Sequence, residues 1–291
     1  MDKNTIEIGA INELPTFSPQ FQHAGIDALS FVTTPIELLS NDGNDLCLHH
    51  ATGFYWKKGD KSYVVTNWHV LTGKNPNTGD LLSDQGYIPA KIKIFGRPPD
   101  QHFTRGPFIP TSRVPALISL NDEKVSCLQH QNFERLKIDV AIIEISTDII
   151  GQESIGRYLN NYGFEQLYHS VGSDCFIVGY PLKNYAGTMI PIWKRGSLAT
   201  EPLISIDDKP MFIVDASTME GMSGAPIFRR TFGPVYMSDK TLRLDAAVTT
   251  EFVGIYSGRL KSREMEATNL GYAWYGNLID EIITEGVPIS N

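Results

Sequence analysis

A chain of 291 residues can form one large domain or two small ones with real hydrophobic cores. Its 25 basic and 33 acidic residues give a net charge of −8, which argues against a general role in binding nucleic acids or anionic membranes. The hydrophobic fraction of 42% is ordinary for a soluble globular protein, and no apolar run reaches the roughly 18 residues of a membrane-spanning helix.

The N-terminal residues and the cysteines bear on the compartment. Met1–Glu7 lacks the basic start and the apolar core of a secretory signal. The three cysteines, Cys47, Cys127 and Cys175, are too few for a disulfide framework, and Cys175 lies in an apolar run that predicts a buried side chain. No cysteine or histidine pair has metal-ligand spacing. We therefore expect a cytoplasmic protein with no metal site and no cofactor.

Short apolar runs recur between turn residues, and 25 glycines and 17 prolines supply those turns. The runs predict strands at Tyr63–Thr66, Ala90–Phe95, Val140–Ile145, Cys175–Val178, Met211–Val214, Ala246–Thr250 and Phe252–Tyr256. Helical segments are expected at Gly151–Tyr162 and at Asn277–Ile283, where apolar residues recur at three- and four-residue spacing. This pattern favours an all-β barrel or sandwich over a parallel sheet.

Three motifs contain the side chains of a nucleophilic hydrolase. His69 follows one apolar run, Asp139 opens another, and Ser223 lies in the glycine-flanked turn Gly221–Ala225. Each residue alone is more often structural, as a polar core group, a cap or a turn. Their joint occurrence favours a Ser-His-Asp triad, in which the histidine removes the serine proton and the aspartate orients the histidine.

The chain order of the three residues narrows the fold. An α/β-hydrolase needs a histidine after the serine, but the last histidine of this chain is His169. The subtilisin order needs an acid before His69, and Asp60 and the earlier acids lie in polar turns. Only the order of chymotrypsin, histidine then aspartate then serine, gives all three residues suitable surroundings.

Six segments resemble, in the same order, those of trypsin-like serine proteases of the chymotrypsin clan, and most closely bacterial Deg/HtrA-type protease domains without a PDZ domain. These segments are Ala51–Phe54, Val64–Val70, Ile138–Ile143, Phe176–Pro181, Asp215–Pro226 and Leu270–Trp274. The resemblance implies two six-stranded antiparallel Greek-key barrels followed by the C-terminal helix. Residues 20–150 would form the barrel with the histidine and aspartate, and residues 151–291 the barrel with the serine.

The resemblance also implies a role for each matching residue. Ser223 would be the nucleophile, His69 the general base and Asp139 the residue that orients it. The backbone N–H groups of Gly221 and Ser223 would form the oxyanion hole. Met222 stands where zymogen-type trypsins have an aspartate, which pairs with a newly cut N-terminus. We therefore expect activity without N-terminal processing, with the loop ordered by packing, by substrate or by a partner.

The expected substrate-binding residues lie near the serine and on a later strand. Ser217 occupies the pocket base in the trypsin pattern, and an uncharged residue there argues against a preference for Lys or Arg before the cut. The resemblance implies that Ser257, Gly258 and Arg259 pair with the substrate. Two readings of Glu220 and Arg259 stay open: solvated rim charges, or charges that favour acidic or mixed-charge substrates.

The segment Gly73–Pro115, between the histidine and the aspartate, contains several glycine and proline turns and one expected strand, Lys91–Phe95. It predicts an extended loop system. The segment can be a surface excursion, or part of it can shape the substrate cleft, because long loops are often functional.

The resulting hypothesis is a serine endopeptidase of bacterial type that performs limited cleavage of a specific protein. Its partners would be a protein or peptide substrate and a regulatory protein, with neither nucleic acid nor membrane. Two alternatives remain. A pseudoprotease could bind peptides by strand pairing, although a binding module needs no complete triad. A hydrolase of non-peptide esters or amides would be unusual for this cleft.

Overall fold

The computed structural model describes residues 27–40, 46–96, 114–146, 158–168, 170–181, 190–201, 204–244, 248–260 and 269–289. The regular structure in these residues is mostly antiparallel β-sheet. None of the helices in these ranges is long and apolar enough to span a membrane. Strands therefore carry the architecture, as the short apolar runs predict.

The first sheet contains seven consecutive strands. They are β1 (Thr33–Leu39), β2 (Cys47–Lys58), β3 (Lys61–Thr66), β4 (Lys91–Gly96), β5 (Val114–Ser119), β6 (Cys127–Gln129) and β7 (Ala141–Ile145). Their order across the sheet is β6-β7-β3-β2-β1-β4-β5. A turn at 120–126 separates β5 from β6, so β5 pairs with β4 whereas β6 pairs with β7. Counted as one interrupted strand, β5 and β6 complete a six-stranded unit.

The second unit is a closed six-stranded barrel. Its strands are β8 (Asp174–Gly179), β9 (Ile192–Leu198), β10 (Met211–Asp215), β11 (Pro226–Phe232), β14 (Val248–Arg259) and β15 (Leu270–Tyr275). They follow one another in the order β10-β15-β14-β11-β8-β9. A two-stranded ribbon, β12 (Val235–Tyr236) with β13 (Leu242–Arg243), lies outside the barrel between β11 and β14 in the chain.

Helical structure in the described residues is short. The helices are α1 (Trp68–Thr72), α2 (Phe133–Leu136) and α3 (Leu278–Glu285), with 3-10 turns at Ala28–Phe31 and Leu159–Asn161. The expected C-terminal helix is confirmed as α3. Of the helical segment expected at Gly151–Tyr162, residues 151–157 lie outside the described residues and Leu159–Asn161 form a 3-10 turn.

The chain returns to the first sheet after the second barrel. Helix α3 contacts β6 and β7, and a last strand, β16 (Val287–Pro288), pairs with β6. With β16, and with β5 and β6 counted as separate strands, the first sheet has eight strands. This is two more than the expected six. A two-residue strand has no periodicity, so β16 could not be predicted from its residues. The division at residues 150 and 151 stays a prediction.

One apolar core joins the two β units. Phe54 of β2 lies in the same buried cluster as Phe228 of β11, Ile255 of β14 and Ile282 of α3, and all four are fully buried. The rings of Phe54 and Phe252 meet edge to face with 5.8 Å between centroids. Burial of such large side chains fixes the two units against each other, and hence the loops that meet between them. The expected all-β architecture of two antiparallel units with a C-terminal helix is confirmed.

Candidate active site

The ends of two paired strands bring His69 and Asp139 together. Strand β3 ends at Thr66, which pairs with Ala141 at the start of β7. Helix α1 follows β3 directly and holds His69, and it ends at Gly73, whose φ of 67° is a left-handed conformation suited to glycine. Asp139 lies two residues before β7. Both side chains therefore lie at the same end of adjacent strands.

Asp139 binds His69 through both carboxylate oxygens. Oδ1 accepts the His69 backbone N–H at 2.8 Å, and Oδ2 lies 2.7 Å from His69 Nδ1. Asn67 Nδ2 donates to the Asp139 carbonyl at 2.7 Å, and Ser257 Oγ donates to Oδ2. Asp139 is only 2% exposed, so a carboxylate there needs such partners. With its proton held on Nδ1, the imidazole keeps Nε2 free to accept a proton.

Ser223 lies on the loop between β10 and β11, beside the same cavity as His69. Its Oγ donates to the Ser257 carbonyl at 3.0 Å. Within the described residues no hydrogen bond joins Ser223 Oγ to His69. The hydroxyl is therefore turned away from the base in this conformation, and a rotation of the side chain is needed before proton transfer. Such loose pairing is common in enzymes without substrate.

Two glycines give the serine loop its shape. Gly221 has φ 90° and Gly224 has φ 83°, and a Cβ on either residue would collide with a backbone oxygen, that of Tyr180 and that of Thr52 respectively. Thr52 ties the loop to the first sheet, because its Oγ1 donates to the Gly221 carbonyl at 2.7 Å and its N–H donates to the Ser223 carbonyl at 2.9 Å. Sequence reasoning missed this role of Thr52.

Two backbone donors at the nucleophile, those of Gly221 and Ser223, have no acceptor within the described residues. The N–H groups of Met222, Gly224 and Ala225 all donate to carbonyls of the protein. Those of Gly221 and Ser223 donate to no group in the part of the chain that the structure describes. Both residues line the cavity that His69 also lines. This pair of donors can stabilise a negative oxygen that develops next to Ser223.

Apolar packing anchors the loop from below. Met222 is fully buried in the core of the second barrel, in one cluster with Ile177, Val214 and Tyr256. An ion pair of the zymogen type is impossible for a thioether side chain. Packing of Met222 anchors the loop where zymogen-type trypsins have that ion pair; activity without a cut N-terminus stays a prediction.

The expected base of the substrate pocket is occupied differently. Ser217 is exposed, whereas its neighbour Thr218 is buried and its Oγ1 lies 2.5 Å from the Tyr256 hydroxyl. Burial raises the pKa of Tyr256, which is only 2% exposed. A Cβ on Gly271 would lie 2.7 Å from the Tyr256 ring, so the ring rests directly on that glycine. Thr218 and Tyr256, and not Ser217, are therefore the buried side chains where the resemblance places the pocket base.

The other expected substrate-binding residues surround Ser223. Gly258 pairs with Tyr272 of β15, and a side chain at Gly258 would meet open space. Arg259 is exposed, and its guanidinium donates to the Thr218 carbonyl, which ties this side chain to the serine loop. Glu220 is exposed and lines the cavity on the opposite side of Ser223.

A cavity of about 260 Å³ opens next to the triad. Part of its wall comes from the loop after α1, namely Gly73, Leu82, Ser83, Tyr87 and Pro89. These wall residues favour the second interpretation of Gly73–Pro115, in which part of the segment shapes the cleft. Residues 97–113 of the segment lie outside the described residues. Among the described residues, no group of three or more His, Cys, Asp or Glu side chains could hold a metal ion.

One family model and a set of solved structures are similar to the chain. A family model described as Trypsin-like peptidase domain matches residues 51–235, more than half of the chain. A crystal structure of Rv3671c from M. tuberculosis H37Rv, in the inactive form of a serine-to-alanine mutant, is similar with 13% identity and a TM-score of 0.44, over 94% of this chain and 96% of that one. A structure of Rv3671c protease in an inactive form is similar with 14% identity and a TM-score of 0.42, over 89% and 90%. No curated protein sequence is significantly similar to the chain.

Proposed function

The chain belongs to the trypsin-like peptidase domain family, the family that its motifs resemble, and is a serine protease; from this premise we propose that it hydrolyses internal peptide bonds with Ser223, His69 and Asp139. The observation that carries the proposal is the cavity that Ser223, His69 and Gly221 share. A nucleophile, a base and an oxyanion donor that border one open space can act on one carbonyl group.

The proposed reaction begins when Ser223 rotates from the Ser257 carbonyl toward His69. Its Oγ attacks the substrate carbonyl carbon while His69 Nε2 takes the hydroxyl proton. The carbonyl oxygen becomes negative and accepts the N–H groups of Gly221 and Ser223. Asp139, bound to Nδ1 at 2.7 Å, stabilises the imidazolium that forms.

Collapse of this intermediate breaks the C–N bond, and His69 gives its proton to the leaving amine. The acyl group is then an ester of Ser223 Oγ. Water attacks that ester while His69 takes one of its protons, and the proton returns to Ser223 as the acid product leaves. The enzyme returns to its starting protonation state, and one water is consumed for each bond cleaved.

We further propose limited cleavage of a particular protein in the cytoplasm. Support for a reducing compartment comes from Cys47, Cys127 and Cys175, none of which forms a disulfide. Support for a regulatory partner or for activation by substrate comes from the Ser223 hydroxyl, which is bonded away from His69. A ligand that favours the other orientation would shift the population toward the active form.

The same hydroxyl orientation favours a second candidate, a peptide-binding protein with little turnover. The test for the proposed function is the change Ser223→Ala. We expect a fall of roughly 10⁴- to 10⁶-fold in kcat and the loss of covalent labelling by a fluorophosphonate. Ser205→Ala, at an exposed serine far along the chain from the loop, is the control.

Residual cleavage by Ser223→Ala within tenfold of the wild type would contradict the assignment of the nucleophile. A wild-type protein that binds peptides but neither cleaves them nor reacts with the fluorophosphonate would support the binding function instead. Circular dichroism of each variant verifies that a loss of activity is not a loss of fold.

A further inference from the structure

The two sides of Ser223 offer a substrate very different surfaces. On one side lies the end of β14. Strand β11 begins at Pro226, which pairs with Ile255, so within the described residues β14 has no strand beside it on that edge at Ser257–Arg259. The Ser257 carbonyl already accepts the Ser223 hydroxyl at 3.0 Å. An extended peptide can pair with this free edge, which places the acyl half of the substrate here.

Little room exists on the acyl side for a large side chain before the scissile bond. The Tyr256 ring rests on Gly271, and its hydroxyl is bonded to Thr218 Oγ1 at 2.5 Å. The Arg259 guanidinium also donates to the Thr218 carbonyl. A residue with a small side chain therefore fits before the cut, since a large one would have to displace a buried ring.

The open space is on the other side. The cavity borders His69, Gly221 and Ser223, but neither Ser217–Thr218 nor Tyr256–Arg259 lines it. Because His69 gives its proton to the departing amine, the leaving half of the substrate must extend past His69, away from the acyl half. The cavity is thus positioned to receive the residues that follow the scissile bond.

The walls of this cavity are mostly apolar. Leu38, Leu48, Val70, Leu82, Tyr87 and Pro89 contribute to them, and the polar residues His49, His50, Ser83 and Glu220 also line the cavity. The Leu82 N–H donates to the Gly73 carbonyl at 2.8 Å, and an antiparallel bridge joins Lys74 to Leu81, so hydrogen bonds fold this loop back on α1. About 260 Å³ is just below the roughly 300–1,000 Å³ of pockets for drug-sized ligands. A cavity of this volume suits one large substrate side chain, or that side chain and part of the side chain of the next residue.

We propose that the enzyme selects its substrates chiefly by a large apolar or aromatic side chain at one of the first two positions after the scissile bond, with a small residue before it. This inference rests on the proposed peptidase function and adds its substrate class. Removal of a leucine or phenylalanine side chain from water is worth a preference of roughly 10- to 100-fold over alanine.

The first experiment measures kcat/KM for fluorescence-quenched peptides. Alanine precedes the cut, and phenylalanine, leucine, alanine or lysine occupies each of the next two positions in turn. We expect phenylalanine or leucine to exceed alanine by roughly 10- to 100-fold at one of them. Equal rates at both positions, or a dominant preference for a large side chain before the cut, would overturn the proposal.

Matched variants identify the cavity as the source of the preference. Leu82→Ala and Tyr87→Ala remove wall residues, whereas Leu81→Ala and Ile88→Ala change exposed neighbours that do not line the cavity. The ratio of phenylalanine to alanine peptides should fall at least threefold in the first pair and remain at the wild-type value in the second. Equal ratios in all four variants would overturn the assignment of this cavity.

Acyl transfer isolates the leaving-group side. The wild-type acyl-enzyme, formed from a small alanine ester, is partitioned between water and three dipeptide amides, Phe-Ala, Ala-Phe and Ala-Ala, which can bind only where a leaving group departs. The proposal expects the Phe-Ala or the Ala-Phe amide to capture several-fold more acyl group than the Ala-Ala amide. Equal capture, in an enzyme that a fluorophosphonate labels, would overturn the selectivity and leave the peptidase function standing. Failure of the wild type both to be labelled and to be acylated would overturn the two together.

Discussion

The two halves of the candidate triad are held by different forces. Asp139 and His69 are joined by two hydrogen bonds between paired strand ends, and further polar groups hold the carboxylate. Within the described residues the serine loop has no ion pair; Met222 anchors it in an apolar core, glycines permit its curvature, and Thr52 hydrogen-bonds it to the first sheet. Directional polar contacts set the orientation of the base, whereas close packing sets the position of the nucleophile. Substitutions in the two halves should therefore lower activity for different reasons: loss of the orientation of the base in one, and displacement of the nucleophile loop in the other.

Among the residues that support the base and the nucleophile, the largest effect is expected in the polar half, with Asp139→Asn. An amide has only one oxygen with which to accept the two His69 N–H groups that the carboxylate binds now. The histidine would then be held in the wrong tautomer, so kcat/KM should fall roughly 10⁴-fold at neutral pH. Peptide hydrolysis across pH 6–10 measures this, with Asp60→Asn in an exposed turn as the control. Unchanged activity would mean that another acid orients His69.

A smaller loss is expected in the loop, with Gly221→Ala. The new Cβ would meet the Tyr180 carbonyl oxygen in a backbone conformation with φ 90°, so the peptide must turn and its N–H leaves the oxyanion position. Loss of one oxyanion donor costs roughly 10²- to 10³-fold in kcat. Gly233→Ala is the matched control, because φ there is 81° but open space surrounds the Cβ position. A loss of equal size in both variants would point to general backbone strain instead.

The contact between the halves can be tested with Thr52→Val. Thr52 Oγ1 donates to the Gly221 carbonyl and accepts the Tyr180 N–H at 3.0 Å, and valine leaves both groups unpaired. Stability should fall by about 1–3 kcal/mol, and displacement of Gly221 should lower kcat roughly tenfold. Thr52→Ser retains the hydroxyl and should recover most of the lost stability and most of the lost kcat. If Thr52→Ser loses as much stability and kcat as Thr52→Val, the shape of the side chain matters and the hydrogen bonds do not.

The triad residues were easier to predict from the sequence than the residues that hold the serine loop in place. His69, Asp139 and Ser223 lie in short motifs whose meaning is local, and so does the strand pattern around them. Thr52, in contrast, acts on a carbonyl 169 positions away in the chain, and nothing local in the sequence indicates this contact.

The buried contact between Tyr256 and Thr218 could not be predicted from the sequence for the same reason. In the sequence Tyr256 is one apolar residue of an expected strand, and its contact with Thr218, 38 positions earlier, depends on how the barrel closes. The role of Ser217 is implied by the trypsin pattern, and a match of position cannot tell which of two successive side chains points inward. Alternation along an extended segment turned Thr218, and not Ser217, toward the buried side.

The smallest effect on activity is expected from conservative repacking below the loop. If packing of Met222 orders the loop, Met222→Leu, which nearly conserves volume, should cost less than about 1.5 kcal/mol and change the fluorophosphonate labelling rate less than threefold. Met222→Ala leaves a cavity in a fully buried site and should cost about 2–5 kcal/mol. Urea unfolding gives the stabilities, and labelling below the unfolding transition gives the order of the loop. Since the loop and the core share this side chain, the alanine variant should label more slowly even where it is fully folded. Labelling at the wild-type rate in folded Met222→Ala would mean that the glycines and Thr52 suffice to order the loop, and that Met222 contributes only to the core.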